Sequence, residues 1–567
     1  MIPLQSKFID NYFFTALVSV NLYMSKIMKI MFSYQYALKL KKCIAICMYF
    51  NTFLLFAQTP LSQTELESNA NYTFDNQDYY HALPIFLTLD SIYPNVPKYM
   101  FPIAVCYINT TGDEQNALLF LEKCKLKPNQ YPPTLHYYLG RAYHLAHRFD
   151  NAIVEYEICL SYLYKNKKKN ISMIKDIYRQ VEMCENGKKL MRDEIPIHIK
   201  NLGPTINSNY PEYGPVLTLD ESQLIFTSCR PETTGGLIDP EDGLFYEDVY
   251  ISSKIDSTWM LAKNMGPSIN TDGHDASISL ASDGQELLIY RYDRGDNFLS
   301  SKLDGEVWLK AEELKGEINS KYYEPSACLT KNGEYLIFSS DRPGGYGGLD
   351  LYISKKLLNN EWARPINLGP IINTRYNEDS PFMHPDGKTL YFSSQGHNSM
   401  GGFDMFYSKL LSDSTDHWDA PINVGYPLNS AHDDIHFNLS ADGRRIYFAS
   451  IRPEGYGDKD IYVATTDQPK VLDILVIVGI IQDSVSKEPV SATIEVVDTD
   501  NNTIIGIYHS NKATGKYIMA LPEGGKYRLS IQSPNYKVCD DFITTKEMDG
   551  YQERLKNINL CPDGIKE

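Results

Sequence analysis

Residues 319–354 read NSKYYEPSACLTKNGEYLIFSSDRPGGYGGLDLYIS. The same grammar returns in four more copies between residues 202 and 463. With Asn207, Asn270, Asn319, Asn373 and Asn429 as origin marks, successive units begin 63, 49, 54 and 56 residues apart. Five positions beyond each mark stands an acid: Glu212, Asp275, Glu324, Glu378 and Asp434. Thirteen positions beyond stand Asp220, Asp283, Asn332, Asp386 and Asp442, followed by Gly in the last four copies. Nineteen positions beyond come Phe226, Phe338, Phe392 and Phe448, with Ile289 in the second copy. Eleven positions before the last four marks stand Trp259, Trp308, Trp362 and Trp418.

Asp-Gly and Asn-Gly pairs suit two-residue hairpin turns, because both turn positions need positive φ. Short β-type runs such as Tyr335–Phe338 and Leu390–Phe392 follow those pairs. A further strand carries Asp350–Tyr352, Asp404–Phe406 or Asp460–Tyr462, and a Trp-bearing run leads into the next unit. Each unit therefore predicts one four-stranded blade of a β-propeller, over residues 195–468. The first copy has Pro196 where the others have Trp, yet Ile195–Ile199 and Leu202-Gly203-Pro204 still read as a strand. No Trp-type strand follows Tyr462. Residues 195–203 are therefore predicted to supply the outer strand of the last blade. That gives five blades, or six if a seam blade is hidden.

The chain of 567 residues is too long for one core, and the fold class expected is multidomain, α then β. A net charge of −17 argues against nucleic acid as the partner. Residues 1–58 read as a signal peptide: Lys39, Lys41 and Lys42 precede the apolar run Cys43–Phe56, and Ala57-Gln58 offers a cleavage site. The long n-region places the true start at Met24, Met28 or Met31 as an option, and an uncleaved anchor helix is the alternative. Over residues 63–190, Ala82, Ala117 and Ala152 recur every 35 positions, each followed four positions later by Phe86, Leu121 or Tyr156. Small residues beside large ones at this period are the tetratricopeptide pattern, with a capping helix near Ile171–Val181; an ordinary helical bundle is the alternative. Residues 473–567 alternate as short strands between turns and predict a small β-sandwich. Export permits disulfides, and Cys539 with Cys561 is the pair to test first, although spacing alone does not show that the sulfurs meet.

No local catalytic motif is present: no Gly-x-Ser-x-Gly, no His-Glu-x-x-His and no phosphate loop. No cofactor and no metal are expected. The run His432-Asp433-Asp434-Ile435-His436 suggests a metal cluster, but residues four apart on a strand lie roughly 13 Å apart. Asp498–Asn502 begins like a calcium loop, yet Thr503 and His509 stand where Gly and Glu belong. The five repeat acids have two readings. Either each is a buried carboxylate held within its own or the next blade, with Arg230, Arg342 and Arg452 as partners, or together they form an acidic mouth. The second and fourth copies depart, with Asp293 and Gly396 at the Arg position.

The order of modules, and units such as Asn319…Ser339-Ser340-Asp341-Arg342-Pro343-Gly344-Gly345, resemble envelope proteins of Bacteroidetes. The propeller units resemble WD-repeat-like propellers of the TolB type. The last module is similar to the carboxypeptidase regulatory-like domain, and the whole resembles the PorE-type proteins of the type IX secretion system. The resemblance implies a periplasmic, outer-membrane-associated, non-catalytic scaffold, not an enzyme. Its partners would be envelope proteins or peptides on the helical repeats. PorE-type chains also carry an OmpA-like peptidoglycan-binding domain, for which no room is seen before Glu567, so peptidoglycan binding is not expected. The alternative function is a propeller-based hydrolase or glycan-binding protein. A His, a carboxylate and a nucleophile converging at one mouth would favour it.

Overall fold

The computed structural model describes residues 62–563, apart from Thr111, 128–129, 241–242, 293–295, 331–332, 412–416, 467–473 and Asp549. The signal segment expected at 1–58 lies outside the described residues. Among the described residues seven α-helices come first: α1 (Gln63–Asp75), α2 (Tyr79–Ile92), α3 (Pro97–Asn109), α4 (Glu114–Lys125), α5 (Thr134–Leu145), α6 (Phe149–Leu163) and α7 (Ile171–Arg192). Asp78 and Asp113 start α2 and α4 by accepting from the N–H of His81 and Asn116 at 3.0 and 2.9 Å. From α2 onward each helix packs on the next. The contacts close up where side chains are small: Ala82, Ala117 and Ala152 are fully buried, and a Cβ at Gly140 would strike the Tyr156 ring. No helix among the described residues is long and apolar enough to cross a membrane.

The chain then enters a ring of curled antiparallel sheets. Strand β1 (His198–Asn201) comes first, but it belongs to the last sheet. The first sheet holds β2 (Glu212–Leu217), β3 (Gln223–Ser228), β4 (Asp248–Ile255), β5 (Thr258–Trp259) and β6 (Lys263–Asn264). The second holds β7 (His274–Leu280), β8 (Glu286–Tyr292), β9 (Asp296–Asp304), β10 (Val307–Trp308) and β11 (Glu312–Glu313). The third holds β12 (Ala327–Leu329), β13 (Tyr335–Ser340), β14 (Asp350–Lys355) and β15 (Ile366–Asn367). The fourth holds β16 (Glu378–Met383), β17 (Thr389–Ser394), β18 (Asp404–Lys409) and β19 (Ile422–Asn423). The last holds β20 (Asp434–Leu439), β21 (Arg445–Ser450) and β22 (Asp460–Thr465), with β1 pairing β22 antiparallel from His198↔Thr465 to Asn201↔Tyr462. Neighbouring inner strands meet in the order β2, β7, β12, β16, β20 and back to β2, so the ring is closed.

The origin-mark asparagines explain how one sheet is held to the next segment of chain. Asn207, Asn270, Asn319, Asn373 and Asn429 each bond both backbone groups of one residue in the preceding sheet: Ile461, Val249, Phe298, Leu351 and Met405. A buried amide that satisfies a strand residue at both ends has few substitutes, because it supplies donor and acceptor in one plane. The Asp-Gly turns close the β2–β3-type hairpins, with Gly284, Gly387 and Gly443 at φ of 71°, 71° and 70°. At the seam, Glu221 accepts both Nε and Nη2 of Arg445 and the hydroxyl of Tyr447, tying the first sheet to the last.

Beyond the ring, β23 (Ile474–Asp483), β24 (Thr493–Asp498), β25 (Thr503–His509), β26 (Lys516–Pro522), β27 (Lys526–Gln532), β28 (Cys539–Thr544), β29 (Gln552–Leu555) and β30 (Ile558–Leu560) form two four-stranded sheets. Their facing residues, among them Leu475, Ile477, Ile494, Tyr508, Met519 and Leu529, make one core. Cys539 and Cys561 are free thiols here. Their segments nevertheless run together, with Lys537 N–H donating to the Cys561 carbonyl at 3.0 Å.

Candidate functional site

The five repeat acids are buried, none being more than 1% exposed. Each accepts from the backbone N–H and hydroxyl of the residue four positions earlier: Ser208, Thr271, Ser320, Thr374 and Ser430. Arg230 and Arg452 reach Glu212 and Asp434 at 2.9 and 3.1 Å, and Arg342 reaches Glu324. The same guanidinium groups also donate to the carbonyls of Ile206, Leu428 and Ile318. In the second sheet, where Asp293 stands at the repeat position, Arg291 takes the role two residues earlier. It donates to Asp275 at 2.5 Å and to the Ile269 carbonyl at 2.6 Å. Burial pushes the pKa of all five acids up, against the pull of these partners. Each carboxylate is thus held inside its own sheet as a staple.

The fourth sheet is built differently. Gly396 stands at the Arg position, and His397 Nε2 donates instead to the Ile372 carbonyl at 2.9 Å. The cation arrives from outside: Arg179 of α7 donates through Nη2 to the carbonyls of Gln395 and Gly396 at 2.6 and 3.0 Å and to Ser399 Oγ at 2.6 Å. Its guanidinium lies 4.5 Å from the Tyr376 ring centroid. Beside it, His144 Nε2 donates to the Met400 carbonyl at 2.7 Å, and His147 Nε2 accepts the Ala431 N–H at 3.2 Å. The helices are docked on the ring through its backbone, at the sheet that lacks its own arginine and at Ala431 leading into the last sheet.

The axis of the ring holds a cavity of about 760 Å³. It is lined by the inner ends of all five sheets, from Gly214 to Leu219 in the first and from His436 to Ala441 in the last, and by Ile507, His509 and Lys512 of the last module. The last module sits over the Asp-Gly turns. His509 Nδ1 meets Asp283 at 2.9 Å, Lys516 meets Asp220 at 2.5 Å, and Asn511 donates to the Gly305 carbonyl at 2.6 Å. The opposite end of the cavity is made by residues seven positions beyond the marks: Gly214, Ser326, Ser380 and His436. Bulges lie there, between Tyr213/Val216, Asp379/Phe382 and Ile435/Asn438. They put Gly214, Ser380 and His436 at φ of 61°, 52° and 58°. A serine and a histidine held at positive φ are strained, and such strain collects at functional positions.

Ser380 is 4% exposed and its Oγ has no hydrogen-bond partner. Burial depresses the His436 imidazole to about 4, although the Asp379 carboxylate pulls the other way, so the ring is neutral at ordinary pH. His436 stacks on Tyr213 with centroids 5.7 Å apart. Asp379 accepts from Ser326 and, at 2.6 Å, from Ser339. The sequence run 432–436 is therefore split three ways. His432 faces the helices, Asp434 is a staple, and His436 enters the cavity.

No family model matches the chain, and no curated protein matches it. Among solved structures it is similar to an α-L-arabinofuranosidase from Lactobacillus brevis, at 12% identity and TM-score 0.31, over 49% of this chain and 95% of that one. CoXyl43, a GH43 β-xylosidase/α-arabinofuranosidase from a compost microbial metagenome, aligns at 13% identity and TM-score 0.31, over 47% and 94%. A gluconolactonase from Xanthomonas campestris aligns at 10% and 0.25, over 48% and 95%. At these identities and TM-scores the likeness carries no argument about what this chain does. Two expectations are nonetheless corrected: that the chain is not an enzyme, and that it serves as a non-catalytic scaffold. The exclusion of catalysis rested on missing local motifs. In a ring, groups that meet at the axis come from separate sheets, so no short motif reports them.

Proposed function

We propose that the protein works through the central cavity of its ring, as a propeller-based hydrolase. The observation that carries this reading is the convergence at the inner end of the cavity. Ser380, whose hydroxyl is buried and unpartnered just beneath the surface, and the neutral imidazole of His436 line that end, and the Asp379 carboxylate lies behind them. A neutral imidazole can take a proton, and a hydroxyl can attack an electrophilic carbon or hold a ligand oxygen. The volume is that of a small-molecule site. Phe382 and Phe437 offer apolar faces, and Glu221, Asp283 and Glu286 offer acceptors, a mixture suited to a glycan.

The test is to incubate the whole chain with nitrophenyl glycosides and nitrophenyl esters and to titrate oligosaccharides calorimetrically. Turnover is expected, with a loss of about a hundredfold in Ser380→Ala and His436→Gln. A glycan bound without turnover supports the second reading, a glycan-binding propeller. No turnover and no binding sinks both.

The finer architectural readings belong to the same proposal. We read the ring as five blades, supported by the contact of β2 with β20 and by the pairing of β1 with β22. The helices read as tetratricopeptide-like, on the spacing and burial of Ala82, Ala117 and Ala152. An exported, envelope-located protein is inferred from Lys39–Gln58, and a mature N-terminus sequenced just after Gln58 is the expected result.

A further inference from the structure

A second cleft lies between the helices and the ring, independent of the central cavity. It measures about 270 Å³ and is walled by the ends of α3 and α5, the middle of α7 and the ring loops at 401–402, 431–433 and 458–459. Four ionic side chains face it from both segments: Arg141 from the helices, and Asp433, Asp458 and Lys459 from the ring. Their pairing is loose: Arg141 feels the Asp176 carboxylate with no hydrogen bond to it among the described residues, and Lys459 and Asp458 make one long ion pair. The one hydrogen bond of the Arg141 guanidinium among the described residues is to Asn109 Oδ1 at 3.5 Å. Lys459 Nζ stands 3.8 Å from Asp458 Oδ2. Asp458 Oδ1 is buried with no hydrogen-bond partner, and Asp433 Oδ1 accepts only a backbone N–H, that of Phe403. The C-terminal end of α3, at Asn109, also opens on the cleft and adds partial negative charge there.

Two cations and two anions left loosely paired around one cleft call for a ligand that brings both signs. We propose that this cleft binds a small zwitterion, an amino acid or a short peptide. Its carboxylate would be taken by Arg141 and Lys459, and its ammonium by Asp458, Asp433 and the end of α3. The volume lies just below the usual range for drug-sized ligands, which fits a molecule of one or two residues. Both walls are needed, so the bound molecule also bridges helices and ring.

The experiment is calorimetric titration of the whole chain with L-alanine and glycylglycine, and with acetate and ethylammonium as single-charge probes. The zwitterions are expected to bind and the single-charge probes to bind at least about tenfold more weakly. Arg141→Gln and Asp458→Asn are each expected to weaken zwitterion binding by about tenfold or more, the scale of one lost charge-assisted hydrogen bond. His436→Gln, in the central cavity, is expected to change nothing here, so failure at one site is distinguishable from failure at the other. The two cleft substitutions lie in different segments, and if one chain does not fold the other decides. The proposal is overturned if neither zwitterion binds, if acetate or ethylammonium binds as well as they do, or if neither substitution weakens the binding.

Discussion

The third and fourth sheets of the ring start from the same plan and end differently. In the third, Glu324 is stapled by Arg342 from its own sheet. In the fourth, Glu378 keeps the hydroxyl and N–H donors but has no arginine, and Arg179 of α7 occupies the neighbourhood of Gly396. A Cβ at position 396 would run into Thr374, so the site for a side chain has been closed on the sheet side. A missing repeat residue thus marks the place where another segment docks.

The largest expected effect separates these two staples. Glu324→Ala leaves the Arg342 charge buried without its carboxylate, a loss of about 3–5 kcal/mol. Glu378→Ala strands neutral donors alone, a loss of about 1–3 kcal/mol. Hydrogen exchange of the β13 and β17 amides reads each locally, and equal losses would erase the distinction drawn between the sheets.

Next comes Arg179→Ala, which removes charged hydrogen bonds to two carbonyls and one hydroxyl. About 3 kcal/mol of docking is expected to go, with the scale set by hydrogen bonds to charged groups. Faster proteolysis near residues 193–197 is the readout. Arg342→Ala should leave that site untouched, and if it does not, docking is not local to the fourth sheet.

A third test uses pH, since the two faces of the ring carry histidines shifted in opposite directions. Burial depresses His144 to about 4 and His432 to about 3. In the unfolded chain they bind protons from about pH 6.5 downward. Acid therefore favours the undocked state, and the helical contact is expected to weaken as pH falls from about 6.5 toward about 4. His509 is instead raised, chiefly by its bond to Asp283. That contribution is complete below about 6.5 and is lost as pH rises through the raised value. Exchange at 395–402 and at 283–286 followed from pH 4 to 8 should move in opposite senses.

The smallest effect is expected at the sandwich. Lys512→Ala, at a pair with Asp304 whose partners are both exposed, should cost about 0.2–1 kcal/mol and fade with salt.

The sequence was most readable where the ring repeats. Asn207, Glu212, Asp220 and their copies each answer one local need: a strand clasp, a staple and a turn. Because every sheet has those needs, the residues recur. The inner end of the cavity was not readable this way. The position seven beyond each mark holds Gly214, Ser277, Ser326, Ser380 and His436. Serine recurs there in three copies, and the residues that part from it, Gly214 and His436, are the ones periodicity does not report. Arg291 was hidden for a simpler reason. It serves Asp275 from a position two residues early, since a long flexible side chain reaches the same carboxylate from either place. Arg179 lies outside the repeat, and only its empty counterpart at Gly396 left a trace. His436 was hidden because strand spacing separates it from His432, and spacing along a strand does not show that the one turns into the cavity while the other faces the helices.

The strand that seals the ring has a consequence in time. His198–Asn201 leaves the ribosome ahead of every other strand of the ring, and its partner at Thr465 emerges 267 residues later. Until then the growing chain carries an edge with open backbone groups, the kind of surface that seeks unintended partners. Any premature stop before that point would yield a molecule unable to complete itself, and quality control during synthesis has a clear signal to read.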